Sequence, residues 1–159
     1  MSDAVIACFQ ADFERFFAFL EKQIEICPDA LWAKKAGGWP FWQQIFHSLA
    51  CFEIYALPAG VASQQTLYSE KVAMLSEEAA RPMSKAAMKE FAAKMHKVAE
   101  RFFALMSADM LTAKHDAMSK LLNRDMTNQN ALIALVRHTC YHLGCCDTIL
   151  REHGIPGVY

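Results

Sequence analysis

The chain has 159 residues with 16 basic and 17 acidic side chains and a net charge of -1, so it carries neither the basic stripe of a phosphate-backbone binder nor a charged tail. With 54% hydrophobic and 21% charged residues it holds enough apolar material for one buried core, in a single domain over residues 1–159, and its low charge leaves room for an oligomer interface or an apolar pocket. No membrane partner and a cytoplasmic location are expected, because the first residues are acidic where a secretory leader is basic, and the uncharged stretches 36–52 and 54–69 are interrupted by Gln43, Gln44, His47, Pro58 and Gly60.

Over residues 3–26 the apolar positions Val5, Cys8, Phe9, Phe13, Phe16, Phe17, Leu20 and Ile24 recur at three and four, predicting an amphipathic helix that Pro28 ends. The segment DALWAKKAGG reads as a loop around Gly37 and Gly38, with Leu31 and Trp32 folding back onto the bundle. A second helix takes Gly38 or Trp39 as its cap, places Pro40 in its first turn and runs to about residue 55, where Pro58 and Gly60 stop it. Its face through Ile45, His47, Leu49, Phe52 and Ala56 is broad and apolar, which puts His47 in or beside a greasy surface.

Residues 61–83 are the least defined stretch. Residues 61–69 read as loop or edge helix and 70–80 as weakly helical up to Arg81 and Pro82, and the segment suits a flap over a pocket. Ser84 caps a long third helix with the stripe Ala87, Met88, Phe91, Met95, Val98, Phe102 and Leu105. Residues 109–125 form a short helix or two turns with Leu111, Met118, Leu121 and Leu122 inward. Thr127 or Asn128 caps the last helix, and Gly154 follows its end with Pro156 beyond. No stretch alternates as a strand does, so the fold class is all-α: four substantial helices plus minor ones, in a bundle closed by long connections.

On the last helix His138 and His142 lie four residues apart, one turn above another, on a face shared with Leu132, Leu135, Thr139, Leu143, Cys146 and Ile149. In a bundle, such a pair joined by one ligand from a facing helix makes a three-imidazole metal site with positions left for water or substrate, and His47 is the candidate third ligand. The competing reading is three neutral core histidines, each donating to a carbonyl. Cys51 follows His47 by four and Cys146 follows His142 by four, so both thiols reach toward the same pocket. Glu53 and Asp147 are candidate acceptors behind the histidines, although their helical angles do not set them squarely beside those rings, whereas His96, His115 and His153 read as solvated or boundary residues, and Arg137 and Arg151 as solvating the last helix. The six cysteines lack the spacing of a zinc knuckle or a CxxC pair, and most are expected to be small buried hydrophobes.

The segments WPFWQQIFHSLACFE and RHTCYHLGCCDTILREHG, in that order, resemble the DinB-like superfamily of four-helix bundles, which includes YfiT-type metal proteins and thiol-dependent transferases. The resemblance runs from about Phe9 to Gly154 and implies an up-down-down-up four-helix bundle with minor connecting helices. It also implies one metal-binding histidine on the second helix and an HxxxH pair on the last, which fall on His47, His138 and His142. The family's last helix often reads H-x-x-x-H-x-G-Q, then an arginine and a glycine; Gly144, Arg151 and Gly154 are present, and the glutamine position holds Cys145.

Two functions follow as expectations. One is a thiol transferase or hydrolase that uses a divalent ion (nickel, zinc or iron) on a small molecule or a low-molecular-weight thiol. Trp39, Trp42 and Tyr141 would then shape the pocket, with Cys51, Cys145 and Cys146 lining or backing it; no general base stands out in the sequence. The other is a non-catalytic metal-binding bundle with a structural or stress-associated role. Either is expected to be a homodimer, given the low charge fraction.

Overall fold

The computed structural model describes residues 2–56 and 67–159. In chain order the elements are α1 (Ser2–Ile26), α2 (Asp29–Trp32), β1 (Lys35–Ala36), β2 (Trp39–Pro40), α3 (Phe41–Ala56), α4 (Glu70–Ala73), α5 (Lys85–Leu105), a 3-10 turn (Ala108–Met110), α6 (Asp116–Leu122) and α7 (Asn128–Glu152). The stop expected at Pro58 and Gly60 and the reading of residues 61–66 lie outside the described residues. Helices α1 and α3 each pack against both α5 and α7, so the four long helices run α1–α7–α3–α5 around the bundle. No helix among the described residues is long and apolar enough to cross a membrane.

The three-and-four spacing of α1 buries Phe13, Phe17, Leu20 and Ile24, and the helix ends before Pro28. The next turn departs from the sequence reading. Lys35 pairs with Pro40 and Ala36 with Trp39 in a two-residue antiparallel hairpin, turned by Gly37 and Gly38 at φ 61° and 94°. Strands this short are beneath the reach of an alternation test, and two successive positive φ values call for glycine. Trp39 and Pro40 therefore belong to β2, and α3 starts at Phe41 rather than being capped by Gly38 or Trp39.

Helix α3 was expected to show one apolar face, but every residue in it except Ile54 and Tyr55 is buried. It is enclosed by α5, α7 and the shorter α4 and α6, so its polar side chains also point into protein and need partners there. Gln43 donates to the Val72 and Glu77 carbonyls (3.2 and 2.7 Å) and accepts from the Ala79 amide (3.3 Å), folding residues 72–79 against α3. This segment holds only one helical turn, α4, capped by the Ser69 hydroxyl; Leu75 at φ 53° follows it, where weak helix to residue 80 was expected.

The cap of α5 is Ser84, and Met88, Phe91, Met95, Val98 and Phe102 face inward as the stripe predicts, while Leu105 is exposed. Leu121 and Leu122 are exposed, contrary to expectation, because the short α6 turns Met118 and Ser119 inward instead. His115 is also not a boundary residue. It is buried, its Nδ1 accepts from the Met118 amide (3.2 Å) to cap α6, and its Nε2 donates to the Tyr55 carbonyl (2.9 Å). With both ring nitrogens paired, the imidazole is tolerated inside. The intermediate His96 bonds Glu14 at 2.7 Å, and the exposed His153 bonds the Ile149 carbonyl.

Helix α7 begins in a capping box formed by Thr127 and Asn130. Near its other end Asp147 serves the chain terminus rather than the histidines. Its carboxylate accepts from Gln23 Nε2 (2.7 Å) and from the amides of Val158 (3.0 Å) and Tyr159 (3.1 Å), while Arg151 joins it (3.4 Å) and donates to the Tyr159 carbonyl (2.6 Å). Gly157 passes so close to Asp147 that a β-carbon there would strike the carboxylate. Because hydrogen bonds to a buried charged acceptor each contribute about 1.5–3 kcal/mol, Asp147→Ala is expected to lower stability by on the order of 2 kcal/mol. Urea denaturation measures that loss, and faster amide exchange at Val158 and Tyr159 would accompany it.

Candidate metal centre

The near-complete enclosure of α3 leaves His47 8% exposed, and its ring faces α7. There it meets His138 and His142, with ring centroids 4.9 and 4.7 Å away; the two α7 rings are 4.6 Å apart. The spacing of the HxxxH pair and the packing of α3 on α7 thus bring together the three histidines that the sequence singled out. His138 Nε2 lies 3.1 Å from His47 Nε2 and 3.2 Å from His142 Nε2.

The other ring nitrogens determine what those close contacts mean. His47 Nδ1 is 2.7 Å from the Ala73 carbonyl, which only accepts, so Nδ1 carries the proton and Nε2 presents a lone pair. His142 Nδ1 donates in the same way to Gln44 Oε1 at 3.2 Å. Both lone pairs converge on His138 Nε2, which can donate to only one of them. His138 Nδ1 is buried with no hydrogen-bond partner. With its proton on Nδ1, His138 turns a third lone pair on the other two, and with its proton on Nε2 one of those two goes unpaired; a cation among the three nitrogens removes either conflict. Separations of 3.1 and 3.2 Å are within reach of nitrogens that each bond one ion at about 2.0–2.1 Å.

The thiol of Cys51, one turn beyond His47 on α3, adds sulfur to the group: Sγ is 3.7 Å from His47 Nδ1 and 3.8 Å from Nε2. His47, Cys51 and His138 offer ligand atoms that all lie within 4.8 Å of one another, a buried His/Cys/His cluster able to coordinate a divalent metal. Burial holds the Cys51 thiol protonated, its pKa pushed up to about 12 against a weaker opposing effect of the Tyr55 hydrogen bond.

The remaining predicted site residues are dispersed. Tyr141 is 65% exposed and touches the cluster only through the edge of the His142 ring, at 4.9 Å. Cys145 is half-buried beside the Tyr141 hydroxyl, while Cys146 is fully buried with Sγ 3.7 Å from the Phe41 carbonyl. Trp42 packs against Phe46 and Tyr68 in a separate aromatic group, and Trp39 is in the hairpin. The sequence reading missed Gln44, the Ala73 carbonyl and Tyr55. Gln44 had a signal, a glutamine three residues before His47 on an apolar helix, whereas a backbone carbonyl has none.

Comparison with protein-family models, with curated proteins and with solved structures gives no match.

Burial lowers the pKa of all three histidines. For His138 it is pushed down to about 4, with the neighbouring His47 and Arg137 adding to the effect. For His142 it is pushed down to about 2, with His138 and His47 adding, and for His47 the hydrogen bond to Ala73 opposes the fall. An unfolded histidine titrates near 6.5, so below that pH the unfolded chain holds protons that the metal-free folded chain refuses. Stability of the metal-free protein is therefore unaffected by these groups above about pH 6.5, falls as the pH drops toward 4, and levels off beneath the folded values. The expected loss is a few kcal/mol, measured by urea midpoints from pH 7.5 to 4, and His138→Phe should flatten the profile.

Proposed function

We propose that His47, His138 and His142 hold a divalent cation through their Nε2 atoms, and that the protein is a DinB-like bundle acting as a metal-dependent thiol transferase or hydrolase on a small molecule. One observation carries the reading: acceptors on Nδ1 of His47 and His142 aim both Nε2 lone pairs at His138 Nε2, an arrangement that suits a cation and not three core histidines. A bound divalent ion supplies Lewis acidity for polarising a substrate atom or activating a nucleophile.

The chain's own part is to position and to exclude water. Ala73 and Gln44 hold two imidazoles in one tautomer, and burial keeps all three neutral and ready to donate. His138, the least buried of the three, gives the side from which a small substrate or a low-molecular-weight thiol would approach. Imidazole donors suit nickel, zinc and iron alike. A homodimer and a cytoplasmic location belong to the same reading.

The near-complete burial of His47 and His142, at 8% and 4% exposure, favours a second reading in which the ion only ties α3 to α7 in a non-catalytic bundle. Exchangeable ligands on the bound ion separate the two, since only the first reading requires them.

Metal content decides the common part. Untagged protein is expected to hold about one divalent ion per chain by elemental analysis, and His142→Ala to hold almost none. Gln44→Leu is expected to weaken binding by about 10–100-fold, as loss of a ligand-orienting acceptor does. Wild-type protein that takes up no nickel, zinc or iron would return the cluster to core histidines.

A further inference from the structure

We infer that the Cys51 thiolate is a fourth donor to the same ion, completing a set of three nitrogens and one sulfur that closes the site at rest and selects zinc or cobalt over harder ions such as manganese and magnesium. The inference rests on the three-imidazole reading above and adds the donor that determines ion class and access.

Geometry supplies the first support. A sulfur and a nitrogen bonded to one zinc ion, at about 2.3 and 2.0–2.1 Å, lie roughly 3.5 Å apart in a tetrahedral arrangement. Cys51 Sγ is 3.8 Å from His47 Nε2, and the His138 ligand atom falls within 4.8 Å of the sulfur, so a small adjustment of the cysteine side chain closes it on these two imidazoles, and His138 Nε2, 3.2 Å from His142 Nε2, joins the third to them. The sulfur shares its helix face with Gln44 and His47, so α3 presents an orienting acceptor, an imidazole and a thiol in succession toward α7.

Tyr55 supplies the second support. It is one turn beyond Cys51, its hydroxyl is hydrogen-bonded to the sulfur, and its ring meets the edge of His138 at 5.8 Å. A neutral thiol sulfur accepts the tyrosine hydrogen bond only weakly and does not depend on it. A thiolate ligand does, because a donor hydrogen bond stabilises the charge left when the ion displaces the proton. Soft sulfur beside three imidazoles favours zinc and cobalt, and four protein donors make a closed site from which Cys51 must withdraw before a substrate atom can bind.

Cobalt(II) titrated into untagged full-length protein tests this. One equivalent is expected to produce a near-ultraviolet thiolate-to-cobalt charge-transfer band together with the strong visible bands of four-coordinate cobalt. Cys51→Ala and Cys51→Ser should each lose the near-ultraviolet band, keep cobalt through the histidines, and bind zinc at least about tenfold more weakly, since a ligand should matter no less than its supporting partners. Zinc-edge X-ray absorption of the wild-type protein, which depends on no variant, should count one sulfur among the donors. Stoichiometric cobalt without the band, or a band that persists in both variants, would overturn the role of Cys51 and leave the three imidazoles standing. A wild-type protein that binds no cobalt would overturn both.

Discussion

The enclosure of α3 is the constraint on which the rest depends. A helix with packed protein on nearly every side has no solvent face for its polar residues, yet α3 carries Gln43, Gln44, His47 and Ser48 within its first eight positions. Burying such groups unpaired would cost several kcal/mol in total; the surrounding elements supply partners for Gln43, Gln44 and His47, while the Ser48 hydroxyl is left without one. Gln43 collects the loop after α4, His47 takes the Ala73 carbonyl at the end of α4, and Gln44 reaches across to His142 on α7. The single turn of α4 is therefore part of the site, because its Ala73 carbonyl fixes an imidazole tautomer.

That tautomer converts packing into chemistry. Three buried imidazoles with free rotors could share protons in several ways, and a satisfied core would result. Once two of them are committed to donating from Nδ1, their Nε2 atoms can only accept, and the third histidine cannot satisfy both. Burial keeps all three rings neutral, with repulsion from neighbouring histidines adding at His138 and His142, and neutral is the state in which a nitrogen can bind a metal ion.

Away from this cluster the same rule settles smaller features. His115 is inside because a helix cap and a carbonyl engage its two nitrogens, and Asp147 is inside because a glutamine and two terminal amides surround its carboxylate. Each looked from the sequence like a residue of a different kind, His115 a boundary histidine and Asp147 a partner for the metal ligands. One partner of each comes from far along the chain, 60 residues away for Tyr55 and His115 and 124 for Gln23 and Asp147.

The amino-acid sequence by itself determined the helical class, the positions of α1, α5 and α7 to within a few residues, the caps Ser84 and Thr127, and the identity of His47, His138 and His142 as a set worth explaining. Those features are local: apolar periodicity, capping residues and a four-residue spacing are all read within one helix. Tertiary structure alone decided that α3 has almost no exposed face, that His47 and His142 present lone pairs rather than protons, that Cys51 rather than Cys145 or Cys146 stands beside the imidazoles, and that Leu121 and Leu122 face outward. The physical reason is common to them. Burial on every side and the proton on a given ring nitrogen depend on what another segment places opposite, and a backbone carbonyl such as that of Ala73 leaves no trace in side-chain identity.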